Sequence, residues 1–277
     1  MQKQYVIPIF VPHLGCPNDC IFCNQKTISG EQKQVTKEDV ANTVEYYLSS
    51  FKEENAYIEI AFFGGSFTGI EVEKQEELLS AAYEFIKQGK VNGIRLSTRP
   101  DYIDKEILKR LKKYKVTTIE LGVQSSNDYI LKRCGRGHTF EDVKSASKLI
   151  RRFGFTLGHQ MMCGLPESTR LDELNTAKDL AKLKPKIVRI YPVLVLRGTK
   201  LAKEYENGEY EPLSCNQAVE ICKELYYFFQ SKKIQVIRMG LQNTETIDRP
   251  EKAGSEVIAR TLSRSLWTTC RRCNLVW

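Results

Sequence analysis

The chain has 277 residues, a formal net charge of +8, 42% hydrophobic and 27% charged residues, the balance of a globular protein and not of a disordered or fibrous one. No run reaches the roughly 18 apolar residues that span a bilayer, and the apolar opening Tyr5 to Val11 is broken by Pro8. Neither a membrane span nor an export signal is therefore expected, and the sequence points to the cytoplasm.

Strand and helix patterns alternate along the chain. Tyr5 to Val11 reads as a strand ended by Pro12, and Lys37 to Phe51 as a helix opened by Thr36 with Asp39 three residues on. A strand over Tyr57 to Phe63 closes at Gly64-Gly65, a helix follows over Val72 to Gln88, and a strand over Ile94 to Thr98 stops at Pro100. The pattern then predicts a helix over Ile103 to Tyr114, a strand over Val116 to Val123, a helix over Thr139 to Phe153 and a strand over Phe155 to Met162. Next come a helix over Ser168 to Leu183 and a sixth strand over Ile187 to Leu194. Beyond lie a connector from Leu201 to Pro212, a helix over Cys215 to Ser231 and a strand over Ile234 to Met239. Such alternation predicts parallel strands with crossover helices. The unusual residues follow strand ends: the cysteine loop, Gly64 to Phe67, Ser97 to Pro100, Gln124-Ser125, Gly164 to Pro166 and Tyr191-Pro192. In a barrel all six segments meet at the C-terminal mouth, where barrel active sites are built.

Nine cysteines in a cytosolic chain do not predict disulfides, because that compartment keeps thiols reduced. Cys134, Cys163, Cys215 and Cys222 are scattered and read as small core residues. Cys16, Cys20 and Cys23 are tightly spaced. Three thiolates on one loop can hold one face of a four-iron cluster and leave one iron open, with Phe22 shielding it from water. A zinc site using His13 and the same three cysteines is the competing reading. Tyr226 to Phe229 beside Lys232-Lys233 read as a buried helix face rather than as an RNA-stacking surface. Arg260 to Trp277 carry four arginines and no acid, which leaves +4 for the rest; that charge permits an RNA partner and equally serves solubility.

The spacing Cys-x3-Cys-x2-Cys together with Gly64-Gly65-Ser66 resembles the radical S-adenosylmethionine superfamily. FFGGSFTG (Phe62 to Gly69), STRPDYID (Ser97 to Asp104), ELGVQSSND (Glu120 to Asp128), GRGHT (Gly135 to Thr139), QMMCGLPEST (Gln160 to Thr169) and VRIYPVLVLRGTKL (Val188 to Leu201) look closest to the group around the Elongator catalytic subunit. Oxygen-independent coproporphyrinogen oxidases share a looser version, with a glutamate where Ser97 stands here. The resemblance implies an α/β fold, a partial (β/α)6 TIM-type barrel over residues 1–200 with a short α/β extension over 201–259. It implies a [4Fe-4S] cluster on Cys16, Cys20 and Cys23 and S-adenosylmethionine held by Phe22, Gly64, Gly65, Ser66, Ser97, Gln124, Arg136 and Gln160. Gln124 would meet the ribose hydroxyls and Arg136 a carboxylate. The implied chemistry is a 5′-deoxyadenosyl radical acting on tRNA or another RNA, with a flavodoxin- or ferredoxin-type electron donor. Radical chemistry on a small molecule such as a tetrapyrrole, or a non-enzymatic zinc or electron-transfer role, are the alternatives. The Elongator subunit's acetyltransferase domain is not expected here.

After Ser255 to Ala259 the group continues Gly-Pro-Tyr-His, whereas this chain runs Arg260 to Trp267 as RTLSRSLW. One codon choice for that segment, read one base later, gives Gly-Pro-Tyr-His-Ala-Ala-Tyr. Residues 260–277 are therefore expected to be a frameshifted tail, and Cys270 and Cys273 not to be a metal site.

Overall fold

The computed structural model describes residues 3–11, 20–23, 34–52, 55–240 and the backbone of 257–259. Cys16, His13 and the tail 260–277, with Cys270 and Cys273, lie outside the described residues. In chain order the elements are β1 (Gln4–Val11), α1 (Lys37–Ser50), β2 (Tyr57–Gly64), α2 (Val72–Lys87), β3 (Gly93–Thr98), α3 (Lys105–Lys113) and β4 (Val116–Gln124). Then follow α4 (Asp128–Arg133), α5 (Phe140–Arg152), β5 (Thr156–Cys163), α6 (Arg170–Lys182), β6 (Ile187–Pro192), β7 (Val195–Leu196), α7 (Lys200–Glu206), α8 (Cys215–Ser231), β8 (Gln235–Met239) and β9 (Val257–Ala259). The alternation was legible; several local features differ.

Thr36 and Asp39 form the expected capping box at α1, with Asp39 N–H donating to Thr36 Oγ1 at 3.2 Å and Thr36 N–H to Asp39 Oδ2 at 2.8 Å. The helix expected from Ile103 begins at Lys105, because the Asp104 side chain accepts from Ile107 N–H at 2.7 Å and fixes the start there. The six-residue α4 was not expected; it is too short to show periodicity, and Asn127 caps it. The connector after Leu201 contains α7, capped by Thr199, and the run expected to reach Leu194 ends at Pro192 before the separate β7. β7 pairs antiparallel with β9.

The chain divides into two compact units. The first covers 1–17, 25–122 and 143–157, and in it β1, β2, β3 and β4 lie side by side in that order, all parallel. Alternation along each strand sends Ile7, Ile60, Phe62, Ile94, Leu96, Ile119 and Leu121 to the helix side, where Val40, Val44, Leu78, Leu79, Leu108, Leu111 and Ile150 complete a fully buried core. The opposite parity carries a polar group on β2 to β4, with Glu59, Arg95, Thr118 and Glu120. Arg95 on β3 donates from Nε to Glu59 of β2 at 3.0 Å and from Nη1 to Glu120 of β4 at 3.0 Å. Thr117 and Thr118 hydroxyls donate to Glu59 Oε1 at 2.7 and 3.0 Å. Each buried charge thus has an ionic partner and added hydrogen bonds, the condition for keeping it inside.

The second unit covers 18–24, 123–142 and 158 onward, with β5, β6 and β8 parallel and adjacent. The strand expected over Ile234 to Met239 thus joins β6 directly. Its helix side buries Met161, Cys163, Val188 and Ile190 against Ile221, Cys222, Leu225 and Phe229 of α8. Of the aromatic run Tyr226 to Phe229, Phe229 is fully buried while Tyr227 is 52% exposed, so the expected buried face holds for one edge of the run. Cys134, Cys163 and Cys222 are core residues as expected, and Cys215, at the start of α8, is half-buried.

Candidate functional site

In the second unit, Cys20 to Cys23 form a tight turn, Cys23 N–H donating to Cys20 O at 2.9 Å. Ile21 anchors it. Ile21 N–H donates to Cys134 O at 3.1 Å, and Leu201 N–H donates to Ile21 O at 2.9 Å, so the turn is tied to the end of α4 and the start of α7. The Ile21 side chain is buried with Ile130, Cys134, Leu165, Val193, Val195 and Leu201. Phe22 packs against the same cluster, so its observed contact is with this apolar group. Apolar surroundings push the Cys134 thiol up to about 12, keeping it protonated and inert at neutral pH.

Cys20 is 95% buried, and its Sγ accepts a hydrogen bond from Arg136 Nη1 at 3.5 Å. Arg136 reaches it because the chain reverses just after α4 at Gly135, whose φ is 66°, and Arg136 N–H returns to Leu131 O at 2.9 Å. His138 follows, its Nε2 3.3 Å from Val123 O.

Gln124 ends β4 with φ 71°, a left-handed conformation uncommon for a residue with a side chain. It is buried, and its Oε1 has no hydrogen-bond partner. A buried carbonyl oxygen left in this state costs about 1–3 kcal/mol, and a ligand hydroxyl would satisfy it. Gln160 is half-buried on β5 and lies in register with Arg189 of β6.

The first unit carries the other expected residues. Gly64 ends β2 at φ 111°, opposite Val11, where a Cβ would sit 2.3 Å from Val11 O. Only glycine fits beside the last described residue before the cysteine loop. Gly65 N–H donates to the same carbonyl at 3.5 Å. Ser66 Oγ hydrogen-bonds Thr98 Oγ1 at 2.8 Å and accepts from Arg99 N–H at 3.2 Å, fastening the end of β2 to that of β3. Ser97 is half-buried, in register with Glu120.

Sequence reasoning missed several supporting groups. Thr68 Oγ1 donates to Tyr102 O at 2.7 Å within the same strand-end network. Thr176 of α6 accepts from Ser126 N–H at 3.0 Å behind the Gln124 turn. Glu173 of α6 accepts from Gly164 N–H at 2.6 Å, and Tyr210 donates to Gly164 O at 2.6 Å, clamping that peptide from both sides. These partners come from segments distant in the chain, so no local pattern marks them.

The profile of the Radical SAM superfamily matches residues 10–180, and that of its C-terminal domain residues 185–264. The chain is a member of the radical SAM superfamily. Its α/β architecture is the superfamily's partial TIM-type barrel. An uncharacterised protein of Methanocaldococcus jannaschii is 33% identical over 234 residues, covering 79% of this chain and 70% of that protein. A tRNA uridine(34) acetyltransferase of the same organism is 30% identical over 184 residues, 59% of this chain and 34% of that one. The chain thus spans about a third of the acetyltransferase. Among solved structures, the Methanocaldococcus infernus Elp3 lacking its N-terminus matches with a TM-score of 0.69 at 22% identity, over 88% of this chain and 61% of that one. The expected Elongator-like group is therefore the right one, and the members of the superfamily are enzymes. Among the described residues no helix is long and apolar enough to cross a membrane.

The superfamily generally uses a [4Fe-4S] cluster and S-adenosylmethionine. The residues present fit both: two soft sulfur donors on one tight turn, a cation at one sulfur, and an unpartnered buried carbonyl at Gln124. Among the described residues no three metal-ligating side chains cluster; the third expected ligand, Cys16, lies outside them.

Proposed function

We propose that this chain is a radical S-adenosylmethionine enzyme acting on tRNA or another RNA. Cys16, Cys20 and Cys23 would hold the [4Fe-4S] cluster. When bound and reduced by one electron, that cluster supplies the electron that breaks a sulfonium C–S bond of S-adenosylmethionine, giving methionine and a 5′-deoxyadenosyl radical for hydrogen abstraction. The observation that carries the reading is the Cys20 to Cys23 turn, held by backbone bonds through Ile21 and donated to by Arg136.

The chain's own residues bind and orient. Gly64 and Gly65 would offer backbone groups to the methionine amine, and Gln124 Oε1 is available to accept from a ribose hydroxyl. Gln160, Ser66 and Ser97 would contribute polar contacts, and Phe22 would help exclude water. A flavodoxin- or ferredoxin-type protein would supply the electron. The RNA substrate is supported by the 30% identity to a tRNA uridine(34) acetyltransferase; acetyl transfer is not part of the proposal. Residues 1–200 would form the catalytic barrel, 201–259 its extension and 260–277 a frameshifted tail, the last tested by resequencing the gene.

Incubating the anaerobically reconstituted protein with unmodified tRNA, S-adenosylmethionine and dithionite, followed by nucleoside mass spectrometry, tests the substrate. A new modified nucleoside that requires all components is expected. Turnover with a small-molecule substrate and none with any RNA would refute the RNA assignment.

A further inference from the structure

We infer that Arg136 is a positioning residue for the cluster that tunes its reduction potential through a hydrogen bond to the Cys20 sulfur. The inference rests on the cluster reading above and goes beyond the expected pairing of Arg136 with a carboxylate. Three observations carry it. Arg136 Nη1 donates to Cys20 Sγ at 3.5 Å, within reach for a sulfur acceptor. Both residues are buried, Cys20 to 95% and Arg136 to 93%, so the interaction is little screened by solvent. The contact is also held from both sides by backbone. The α4 end, through Cys134 O, takes the Ile21 N–H at 3.1 Å, and two residues later Arg136 N–H is fixed to Leu131 O at 2.9 Å. The segment that orients the guanidinium therefore also orients the turn bearing its sulfur target.

The consequence follows from charge. One-electron reduction by an external donor adds one negative charge to the cluster and its thiolate ligands, with no proton or leaving group involved. Hydrogen bonds to ligand sulfurs and a fixed positive charge stabilise the more negative state, so they raise the potential. A guanidinium is well suited, since it stays charged at any physiological pH and offers five donors; one can serve Cys20 while others meet a second anion.

The test is an anaerobic redox titration of the full reconstituted chain, followed by electron paramagnetic resonance without S-adenosylmethionine, for the wild type and for Arg136→Lys, Arg136→Gln and Arg136→Met. Omitting the cofactor removes any effect of Arg136 on a bound carboxylate. Arg136→Met is expected to lower the reduced-to-oxidised ratio at a fixed applied potential about tenfold, about 59 mV for a one-electron couple. Arg136→Lys, which keeps a charge and a donor, is expected to recover part of that loss, a gradation that a merely structural role would not produce. If Arg136→Met fails to load, Arg136→Gln against Arg136→Lys gives the same comparison. Loaded variants that titrate with the wild type, or above it, overturn the inference. Failure of the wild type to load a cluster would instead overturn the function it rests on.

Discussion

Glu173 illustrates how one buried carboxyl links packing to pH. It is 96% buried, with Oε1 bonded to Gly164 N–H and Oε2 without a partner. Burial raises its pKa from 4.5 to about 7, against the smaller opposing effects of the Gly164 and Ser168 hydrogen bonds. The folded state then holds a proton that the unfolded state releases above 4.5, so stability falls as pH rises from about 4.5 to about 7 and the penalty is complete above that. Its size is on the order of 3 kcal/mol. Glu173→Gln is expected to flatten the pH dependence of thermal melting over that window. A wild-type-like slope in the variant would assign the pH response elsewhere.

Gly64 and Gln124 make opposite predictions at the same scale. Gly64→Ala drives a Cβ to within 2.3 Å of Val11 O at a φ of 111°, so it should cost about 1–3 kcal/mol or more in stability and lower cluster loading. Gln124→Leu removes an unsatisfied buried oxygen, so it is expected to leave stability unchanged or slightly higher while weakening S-adenosylmethionine binding at least tenfold. Parallel loss of stability and binding would make Gln124 structural. The sequence marked Gly64 through its pairing with Gly65 and marked Gln124 through the motif. It could not mark Glu173, whose environment is made by Gly164, Ser168 and the fold around them.

Between elements, the first unit's sheet carries the Glu59–Arg95–Glu120 network across three adjacent strands. Removing the central cation leaves two buried carboxylates facing each other. Arg95→Met is therefore expected to destabilise the protein by about 3–5 kcal/mol, measured by denaturant unfolding. A change below about 1 kcal/mol would show that solvent or another group compensates. Helices and strands were legible here because apolar residues repeat at the right period and Thr36 caps where the first helical pattern begins. Strand pairing was not legible from the residues alone. Nothing in the sequence around Arg95 marks the carboxylates that β2 and β4 bring beside it. The short α4 and α7 escaped for a related reason: six and seven residues give fewer than two turns of periodicity, and their caps gain meaning only with tertiary contacts.

At the scale of the molecule, superfamily membership accounts for the recurrence of unusual residues after strand ends. Loops after parallel strands can vary without disturbing the core, so the chemistry collects there. The +8 charge allows an RNA substrate without demanding one. If tRNA binds, affinity should fall steeply between 50 and 200 mM salt, by about 10³ or more if six or more phosphates are contacted. Salt-independent binding would favour a small ligand.

The central claim is the radical chemistry of the Cys16, Cys20 and Cys23 loop. Its most direct test is to reconstitute the chain anaerobically with iron and sulfide, add dithionite and S-adenosylmethionine, and assay 5′-deoxyadenosine, with Cys20→Ala as control. Deoxyadenosine formed by the wild type and not by Cys20→Ala is the predicted result. A wild type that takes up zinc, holds no iron–sulfur cluster and yields no deoxyadenosine would contradict the account.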